Sequence, residues 1–351
     1  MAPDVAPEVA AIGTERELAA MRHAIALAER GLGSTSPNPI VGCVILDAEG
    51  RPAGEGFHER AGGPHAEMVA LRAAAERARG GTAVVTLEPC SHTGRTGPCT
   101  QALIDAGIRR VTYAVDDPSE LAGGGAEVLR VAGIDVVGGV LAAEAARSNA
   151  AWLHRARTGR PFVTWKYAVT LDGRVAAADG TSRWITGEAA RHDVHLLRSH
   201  ADAVVVGTGT VLADDPSLTA RFDDVSMSRQ PLRVVVGRRP IPPSAKVLDR
   251  AAPTAIVNEH HPETVLKTLA ERDVVSVLLE GGPTLAGAFM AAGLIDKVVV
   301  YVAPTFLGNG KNALGDLGIA TIGDALRWQI DAVDMFGDDV RIIATRARAG
   351  E

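Results

Sequence analysis

Apolar residues recur at helical spacing from Glu15 to Arg30, at Leu18, Met21, Ile25, Leu27 and Ala28, and the stripe stops at Gly31. That periodicity predicts a first helix with one buried face. Val41 to Leu46 is then a short apolar run, and Asp47-Ala48-Glu49-Gly50 turns it back toward a second run from Ala53 to Phe57. Short apolar runs bounded by turn residues predict two strands. The Ala-, Leu-, Arg- and Glu-rich stretch Ala66 to Ala78 predicts a helix, Ala83 to Leu87 a strand, and Thr100 to Ala106 another helix. Val111 to Val115 and Ile134 to Val137 supply further strands. Strands alternating with helices predict an α/β/α sandwich for this half.

Arg155-Ala156-Arg157-Thr158-Gly159-Arg160-Pro161 is basic and polar and ends in Gly and Pro, the pattern of a domain boundary. The expected organisation is a flexible tail over 1–14, one domain over 15–157 and a second over 158–351. In the second half strands and helices alternate again, over Phe162 to Val169, Ala189 to Leu197, Ala203 to Val206, Leu232 to Val236, Thr254 to Val257, Val274 to Leu279, Leu285 to Ala292 and Lys297 to Val302. This predicts a mostly parallel or mixed sheet covered on both faces. No internal repeat relates the halves.

A chain of 351 residues is long enough for two separate cores, and 46% hydrophobic with 22% charged residues is a globular composition. A net charge of −6 argues against a nucleic-acid surface, which carries a basic excess. No apolar run approaches the roughly 18 residues of a membrane helix. The Ala/Pro-rich opening to Gly13 lacks the basic and apolar regions of a signal peptide. Three cysteines fit a reducing cytoplasm, where paired cysteines hold metal more often than they form a disulfide.

The chemistry concentrates in His65-Ala66-Glu67, followed by Pro89-Cys90 and Cys99. One His and two Cys bind zinc and leave its fourth position open for water, and a Glu two residues past the His moves protons beside it. The predicted elements put His65 and Glu67 at one helix N-terminus and Cys99 at another, where the dipoles favour thiolate. Cys43, inside Val41 to Ile45, reads as core. His92 leaves two readings, a fourth ligand or a loop hydrogen-bonder. Gly207-Thr208-Gly209-Thr210 and Gly281-Gly282-Pro283-Thr284 each follow an apolar strand. Each reads either as a phosphate cradle or as a tight strand-to-helix turn.

Gly31-Leu32-Gly33-Ser34-Thr35-Ser36-Pro37-Asn38-Pro39, Gly56-Phe57-His58, Pro64-His65-Ala66-Glu67 and Thr86-Leu87-Glu88-Pro89-Cys90-Ser91-His92-Thr93-Gly94-Arg95-Thr96 closely resemble the bifunctional riboflavin-biosynthesis deaminase/reductase family. The resemblance continues through Lys166, Thr170-Leu171-Asp172-Gly173-Arg174, Ser182-Arg183-Trp184-Ile185-Thr186, Leu197-Arg198, Thr210 to Pro216 and Glu280 to Gly287, and so covers nearly the whole chain. It implies an N-terminal cytidine-deaminase-like α/β/α sandwich and a C-terminal dihydrofolate-reductase-like α/β domain. It also implies a zinc-dependent deamination of a diamino-pyrimidinone carrying a phosphoribosylamino group, then an NADPH-dependent reduction of the ribosyl group to ribityl.

By that resemblance His65, Cys90 and Cys99 hold one zinc ion and Glu67 is the general acid/base. Asn38, His58, His92 and Arg95 surround the deaminase substrate. Ala168, Trp184, Thr210, Asp214 and the segment Gly282, Pro283, Thr284, Leu285, Ala286, Gly287 and Ala288 contact NADPH. Ser182, Arg198, Leu218, Arg221 and Glu280 contact the phosphorylated substrate of the reductase. Lys166 and Asp172 are the ionisable groups nearest the reacting carbon, and Lys166 is the candidate for polarising it. A homo-oligomer, dimer or tetramer, is expected, with a small phosphorylated pyrimidine as substrate and no nucleic-acid or membrane partner.

Two departures stand out. Asp116-Asp117-Pro118-Ser119-Glu120 replaces the Asp-Pro-Asn-Pro usual in the family, and Gly237-Arg238-Arg239-Pro240 stands where relatives often have Asp-Ser. The two arginines read either as a grip on the 2′-phosphate of NADPH or as solvated turn residues. Two other functions compete: a nucleic-acid or free-nucleoside deaminase, and a second half that serves only for assembly. The acidic balance opposes the first, and Lys166, Asp172, Trp184, Asp214 and Glu280 oppose the second.

Overall fold

The computed structural model describes residues 13–92, 97–119, 123–223 and 225–346. The chain divides into two compact units between Thr158 and Gly159. In the first unit, β1 (Gly42–Leu46), β2 (Pro52–Phe57), β3 (Thr82–Leu87), β4 (Arg110–Val115) and β5 (Asp135–Val137) form one sheet in the order β2-β1-β3-β4-β5. β1 runs antiparallel to both neighbours, and β3, β4 and β5 run parallel. Alternate residues of β1 face opposite sides, as the pleat requires. Val44 and Leu46 join Met21, Ala24 and Leu27 of α1 (Glu15–Glu29) in one core layer. Cys43 and Ile45 join Ala70 of α2 (Ala66–Ala74), Leu103 of α3 (Cys99–Asp105) and Leu129 of α4 (Gly125–Val131) in the other. The result is the expected three-layer arrangement.

Two local differences have visible causes. The helix expected over Ala66 to Ala78 ends at Ala74 and gives way to a 3₁₀ turn over Ala75–Ala78, with Ala75 at φ 50°. An all-alanine stretch signals no such break. After α5 (Ala142–Ser148), α6 (Ala150–Thr158) absorbs the Arg155 and Arg157 that read as linker, and Gly159 at φ 77° ends it. Helix α2 rests directly on β2, since a Cβ on Gly54 would lie 2.4 Å from Ala70 O and one on Gly56 2.8 Å from Ala66 O. This close approach sets the depth of the helix that carries His65 and Glu67.

The second unit contains β6 (Phe162–Thr170), β7 (Arg174–Ala177), β8 (Ala203–Gly207), β9 (Arg221–Phe222), β10 (Val225–Ser226), β11 (Leu232–Val236), β12 (Thr254–Val257), β13 (Ser276–Leu279), β14 (Lys297–Ala303), β15 (Gly310–Asn312), β16 (Trp328–Phe336) and β17 (Asp339–Arg346). Eight of these form one mixed sheet in the order β12-β11-β8-β13-β6-β14-β17-β16. The first six are parallel, and β17 and β16 extend the sheet antiparallel. Helices α9 (Pro262–Ala270) and α10 (Pro283–Ala291) cover one face, over Val163, Trp165, Val205 and Leu279. Helices α7 (Glu188–His200) and α8 (Thr208–Asp214) cover the other, over Val204, Val206, Val299 and Tyr301. Neither the β16–β17 hairpin nor α9 was expected from the sequence. Among the described residues no helix is long and apolar enough to cross a membrane.

Candidate functional site

Three elements of the first unit deliver one cluster. His65 is the N-cap of α2, Cys99 is the first residue of α3, and Cys90 lies three residues beyond the end of β3. The ligand atoms of His65, Cys90 and Cys99 all lie within 4.8 Å of one another. His65 Nδ1 is 3.2 Å from Cys99 Sγ and 3.6 Å from Cys90 Sγ, and the Cys99 amide donates to Cys90 Sγ at 3.4 Å. Hydrogen bonds from Cys99 pull the Cys90 thiol well below its ordinary range, against the opposing effect of burial. One imidazole nitrogen and two thiolates are the donors zinc prefers, and three of them leave one position open. Beside them, the buried Glu67 carboxyl has an oxygen, Oε2, with no hydrogen-bond partner. An orphaned oxygen in the interior is costly unless water or a ligand meets it. The residues therefore fit a zinc ion with an adjacent water. Burial pushes the Glu67 carboxyl upward.

Cys43 lies fully buried on β1 among Ile45 and Val85, so it is core. His92 is exposed and stands outside the three-ligand group. Asn38 Nδ2 donates to His58 Nε2 at 3.2 Å, while His58 Nδ1 donates to Pro64 O at 2.9 Å. Those two bonds fix a neutral tautomer, and burial lowers the pKa of the ring. The His58 ring meets the His65 ring edge-on at 5.6 Å, so Asn38 and His58 do stand beside the metal group. Arg95 lies outside the described residues.

Glu88 was missed by the motif reading. Its buried carboxylate accepts from the amides of Asp117 at 3.1 Å and Ala126 at 2.8 Å. Ser91 Oγ donates to Gly123 O at 3.0 Å, and a Cβ on Gly125 would lie 1.8 Å from Pro89 O. The metal loop is thus bolted to the segment after β4. The only hint in the sequence was an acid at the inner end of a strand, next to Pro89-Cys90. Within the altered loop, Asp117 Oδ1 accepts from the Ser119 amide at 2.9 Å and hydroxyl at 2.6 Å, closing an Asx turn.

In the second unit three loops leave the carboxyl ends of the adjacent parallel strands β11, β8 and β13, the position where open α/β sheets bind ligands. Gly207 caps α8, and Gly282 caps α10 with Pro283 first in the helix. The Gly282 amide donates to Thr210 Oγ1 at 3.3 Å, which ties two loops together. A Cβ on Gly209 would lie 2.7 Å from Arg239 Nη2, so that exposed guanidinium rests on bare backbone. Bare amides and an arginine at one rim fit the phosphates of a dinucleotide. Within the 282–288 segment Thr284 is exposed and Gly287 has open space, whereas Ala286 turns into the core beside Phe289 and Leu285 packs on Gly281. The exposed Trp184 ring lies 4.8 Å from the Arg191 guanidinium, and Arg183 donates to the Asp214 carbonyl.

Lys166 sits mid-strand on β6, on the face opposite Trp165, with its ammonium 5.8 Å above the Tyr301 ring. Arg198 of α7 grips Glu280 with a two-pronged fork, Nε to Oε1 at 2.6 Å and Nη2 to Oε2 at 2.9 Å. Burial alone would raise the Glu280 carboxyl, but Arg198 and Lys166 hold it down to about 2. Burial lowers Lys166, and Glu280 counters it. Ala168 follows on the same strand, and Ser182 and Arg221 are half-buried. Leu218 is buried among Val204 and Val211 at φ 54°, so only its backbone is offered to a ligand. Asp172 is placed differently from the expectation. Its carboxylate accepts from Thr170 Oγ1 at 2.5 Å and from the amides of Leu307 at 3.2 Å and Gly308 at 2.7 Å, so it closes a loop.

The cytidine and deoxycytidylate deaminase zinc-binding region matches residues 14–115, and the RibD C-terminal domain matches residues 161–342. The chain is 56% identical over 310 residues to the riboflavin biosynthesis protein RibD of Mycobacterium tuberculosis, covering 88% of this chain and 91% of the relative. It is 41% identical over 355 residues to RibD of Escherichia coli, covering 91% and 96%. Among solved structures, Acinetobacter baumannii RibD is similar at a TM-score of 0.87 and 39% identity, over 95% of this chain and 99% of that one. A diaminohydroxyphosphoribosylaminopyrimidine deaminase/5-amino-6-(5-phosphoribosylamino)uracil reductase of Thermotoga maritima is similar at 0.86 and 34% identity, with the same coverage.

Proposed function

The chain belongs to the riboflavin-biosynthesis deaminase/reductase family, and from that membership we propose how its two units divide the work. It is a bifunctional enzyme, with a zinc-dependent cytidine-deaminase-like domain and an NADPH-dependent, dihydrofolate-reductase-like domain. We assign the deaminase to 15–157 and the reductase to 158–351, in keeping with the division beside Thr158.

In the deaminase, His65, Cys90 and Cys99 hold the metal. Zinc, when bound, supplies a Lewis acid that brings the pKa of water toward neutrality. Glu67 takes one proton from the attacking water and gives it to the ring nitrogen, then passes the proton of the newly added hydroxyl to the amine, which departs as ammonia. Asn38 and His58 orient the pyrimidinone, with His92 and Arg95 at the rim. The observation that carries this reading is the three-ligand group with the orphaned Glu67 oxygen beside it. Zinc content by elemental analysis, with ammonia release and NADPH oxidation measured separately, tests it. One zinc per chain is expected, and stripping it should abolish ammonia release while reduction of deaminated substrate continues. Undiminished ammonia release from metal-free protein would overturn the assignment.

In the reductase, NADPH, when bound, supplies the hydride. Thr210 and the Gly282–Ala288 segment hold it, with Ala168, Trp184 and Asp214 along the cleft. Arg198, Arg221 and Ser182 hold the substrate's phosphate ester and Leu218 offers its backbone. Lys166, whose charge Glu280 supports across the site, polarises the ribose at the reacting carbon. Arg238 and Arg239 grip the 2′-phosphate, a reading supported by the Arg239 guanidinium lying against Gly209. Replacing both with Ala should weaken NADPH by roughly tenfold or more, the size of one charge-assisted contact, and leave NADH almost unchanged. Calorimetric titration with both nucleotides checks this. Equal losses would mean that the 2′-phosphate is held elsewhere.

We place the enzyme in the cytoplasm, since its three cysteines form no disulfide and two of them sit in the metal group. We also propose a homo-oligomer, dimer or tetramer, supported by the exposed Ile330, Val333 and Met335 on the edge strand β16. Light scattering on the purified chain tests the assembly.

A further inference from the structure

Lys166 and Tyr301 stand on one face of the second unit's sheet. β14 runs parallel to β6 with Val299 against Lys166 and Tyr301 against Ala168, so the two side chains are diagonal neighbours. The Lys166 ammonium lies 5.8 Å from the Tyr301 ring centroid, within reach of a cation–π contact. Among the described residues it makes no hydrogen bond to the protein. Both oxygens of Glu280 are instead turned into the Arg198 fork.

The ring beneath the ammonium is fixed from several elements. Tyr301 is fully buried, and its hydroxyl donates to Asp193 Oδ2 on α7 at 2.5 Å. Arg341 of β17 donates to the same oxygen at 2.6 Å and to Asp334 Oδ2 of β16 at 2.7 Å. The Phe336 ring meets the phenol ring edge-on at 6.2 Å. Burial, then the Asp193 carboxylate, push the phenol upward, so it stays a neutral hydrogen-bond donor. Its hydroxyl is spent on Asp193, and what it offers Lys166 is the ring face.

We propose that Tyr301 is a positioning residue for the reductase, whose ring face seats the charged Lys166 and leaves the ammonium N–H groups to the ribose. This deepens the reading of Lys166 as the polarising group and rests on it. A carboxylate partner would occupy those N–H groups, whereas an aromatic face steadies the charge without taking a donor. The other charges on Lys166 come from Glu280 beyond β13 and Arg198 on α7, while Asp193, Arg341 and Asp334 stand behind the ring and His195 of α7 acts on Glu280. Burial lowers Lys166, and the ring works with Glu280 against that lowering. Removing the ring face should therefore let Lys166 lose its proton at lower pH.

The pH dependence of kcat for reduction, at saturating NADPH and deaminated substrate, is measured on the full chain for Tyr301→Leu and Tyr301→Phe. In Tyr301→Leu the alkaline limb should move down by roughly half a unit to one unit, a loss of about 3–10-fold in kcat on that limb. KM should hardly change, because Arg198 and Arg221 still grip the phosphate. Tyr301→Phe keeps the ring and should keep the wild-type limb. Fluorinated phenylalanines placed at this position preserve its shape while draining negative charge from the ring face, so the limb should step down with each added fluorine. That series carries the test where Tyr301→Leu does not fold. An alkaline limb unmoved by the fluorinated rings, or moved equally by Leu and Phe, would overturn the role of the ring face. Lys166→Met is run beside them. If it reduces substrate with the wild-type rate and limb, the polarising reading of Lys166 itself falls.

Discussion

Glu67→Gln is expected to cut ammonia release by about 10²–10⁴-fold, the usual contribution of a positioned general acid/base, while zinc content stays at one per chain. The amide has the shape of the carboxyl and fits the same buried place in the first turn of α2. It can still meet a water, but it cannot take and return a proton. Reduction of already deaminated substrate should be unchanged, because that chemistry lies in the other unit. Cys90→Ser is the contrasting variant. A hard hydroxyl is a poor replacement for a thiolate on zinc, so metal and ammonia release should disappear together. Elemental analysis beside an ammonia assay separates the two cases. Near-normal deamination in Glu67→Gln would sink the proton-shuttle role, and loss of zinc from it would make Glu67 part of the metal's support.

The deaminase cluster was legible because its residues lie at element ends that local patterning already marks. His65 precedes an alanine-rich helix, Cys90 follows a β-branched strand, and Cys99 follows Gly97-Pro98. Sequence spacing could not show Glu88, since its partners Asp117 and Ala126 are backbone amides 29 and 38 residues away. The same limit applied to Asp172. A carboxylate in a turn near Lys166 looks chemical in one dimension, and only the return of Leu307 and Gly308 shows what it binds. Ala286 illustrates a third case, because a loop motif names consecutive residues while a helix sends every third or fourth one inward. The hairpin β16–β17 escaped for another reason. Exposed Val333 and Met335 alternate with half-buried Ala332, Asp334 and Phe336 along β16, and exposed Ile330 stands between exposed Gln329 and Asp331, so apolar and polar positions do not sort by face.

Glu280→Gln should destabilise the second unit by about 3 kcal/mol near neutral pH and shift the pH dependence of reduction. The wild-type carboxyl goes from an ordinary 4.5 to about 2 in the folded chain, against burial, because Arg198 and Lys166 face it. A shift of that size corresponds to about 3 kcal/mol. It falls within the range for breaking a buried ion pair from one side, which leaves the partner charge uncompensated. The sign follows from the lowered pKa: the contribution is complete above the unfolded value of 4.5 and is lost as pH falls toward about 2. Urea unfolding of wild type and variant, followed by tryptophan fluorescence, should therefore differ at pH 7 and converge on acidification through that interval. Trp165, Trp184 and Trp328 report on this unit. Removing the carboxylate also takes away the charge that opposes the burial-driven lowering of Lys166. Lys166 should then lose its proton at lower pH, and the alkaline limb of the reduction rate should move to lower pH, while ammonia release keeps its profile. A variant as stable as wild type at pH 7, with an unmoved alkaline limb, would show that the Arg198 fork neither holds this site together nor sets the charge of Lys166.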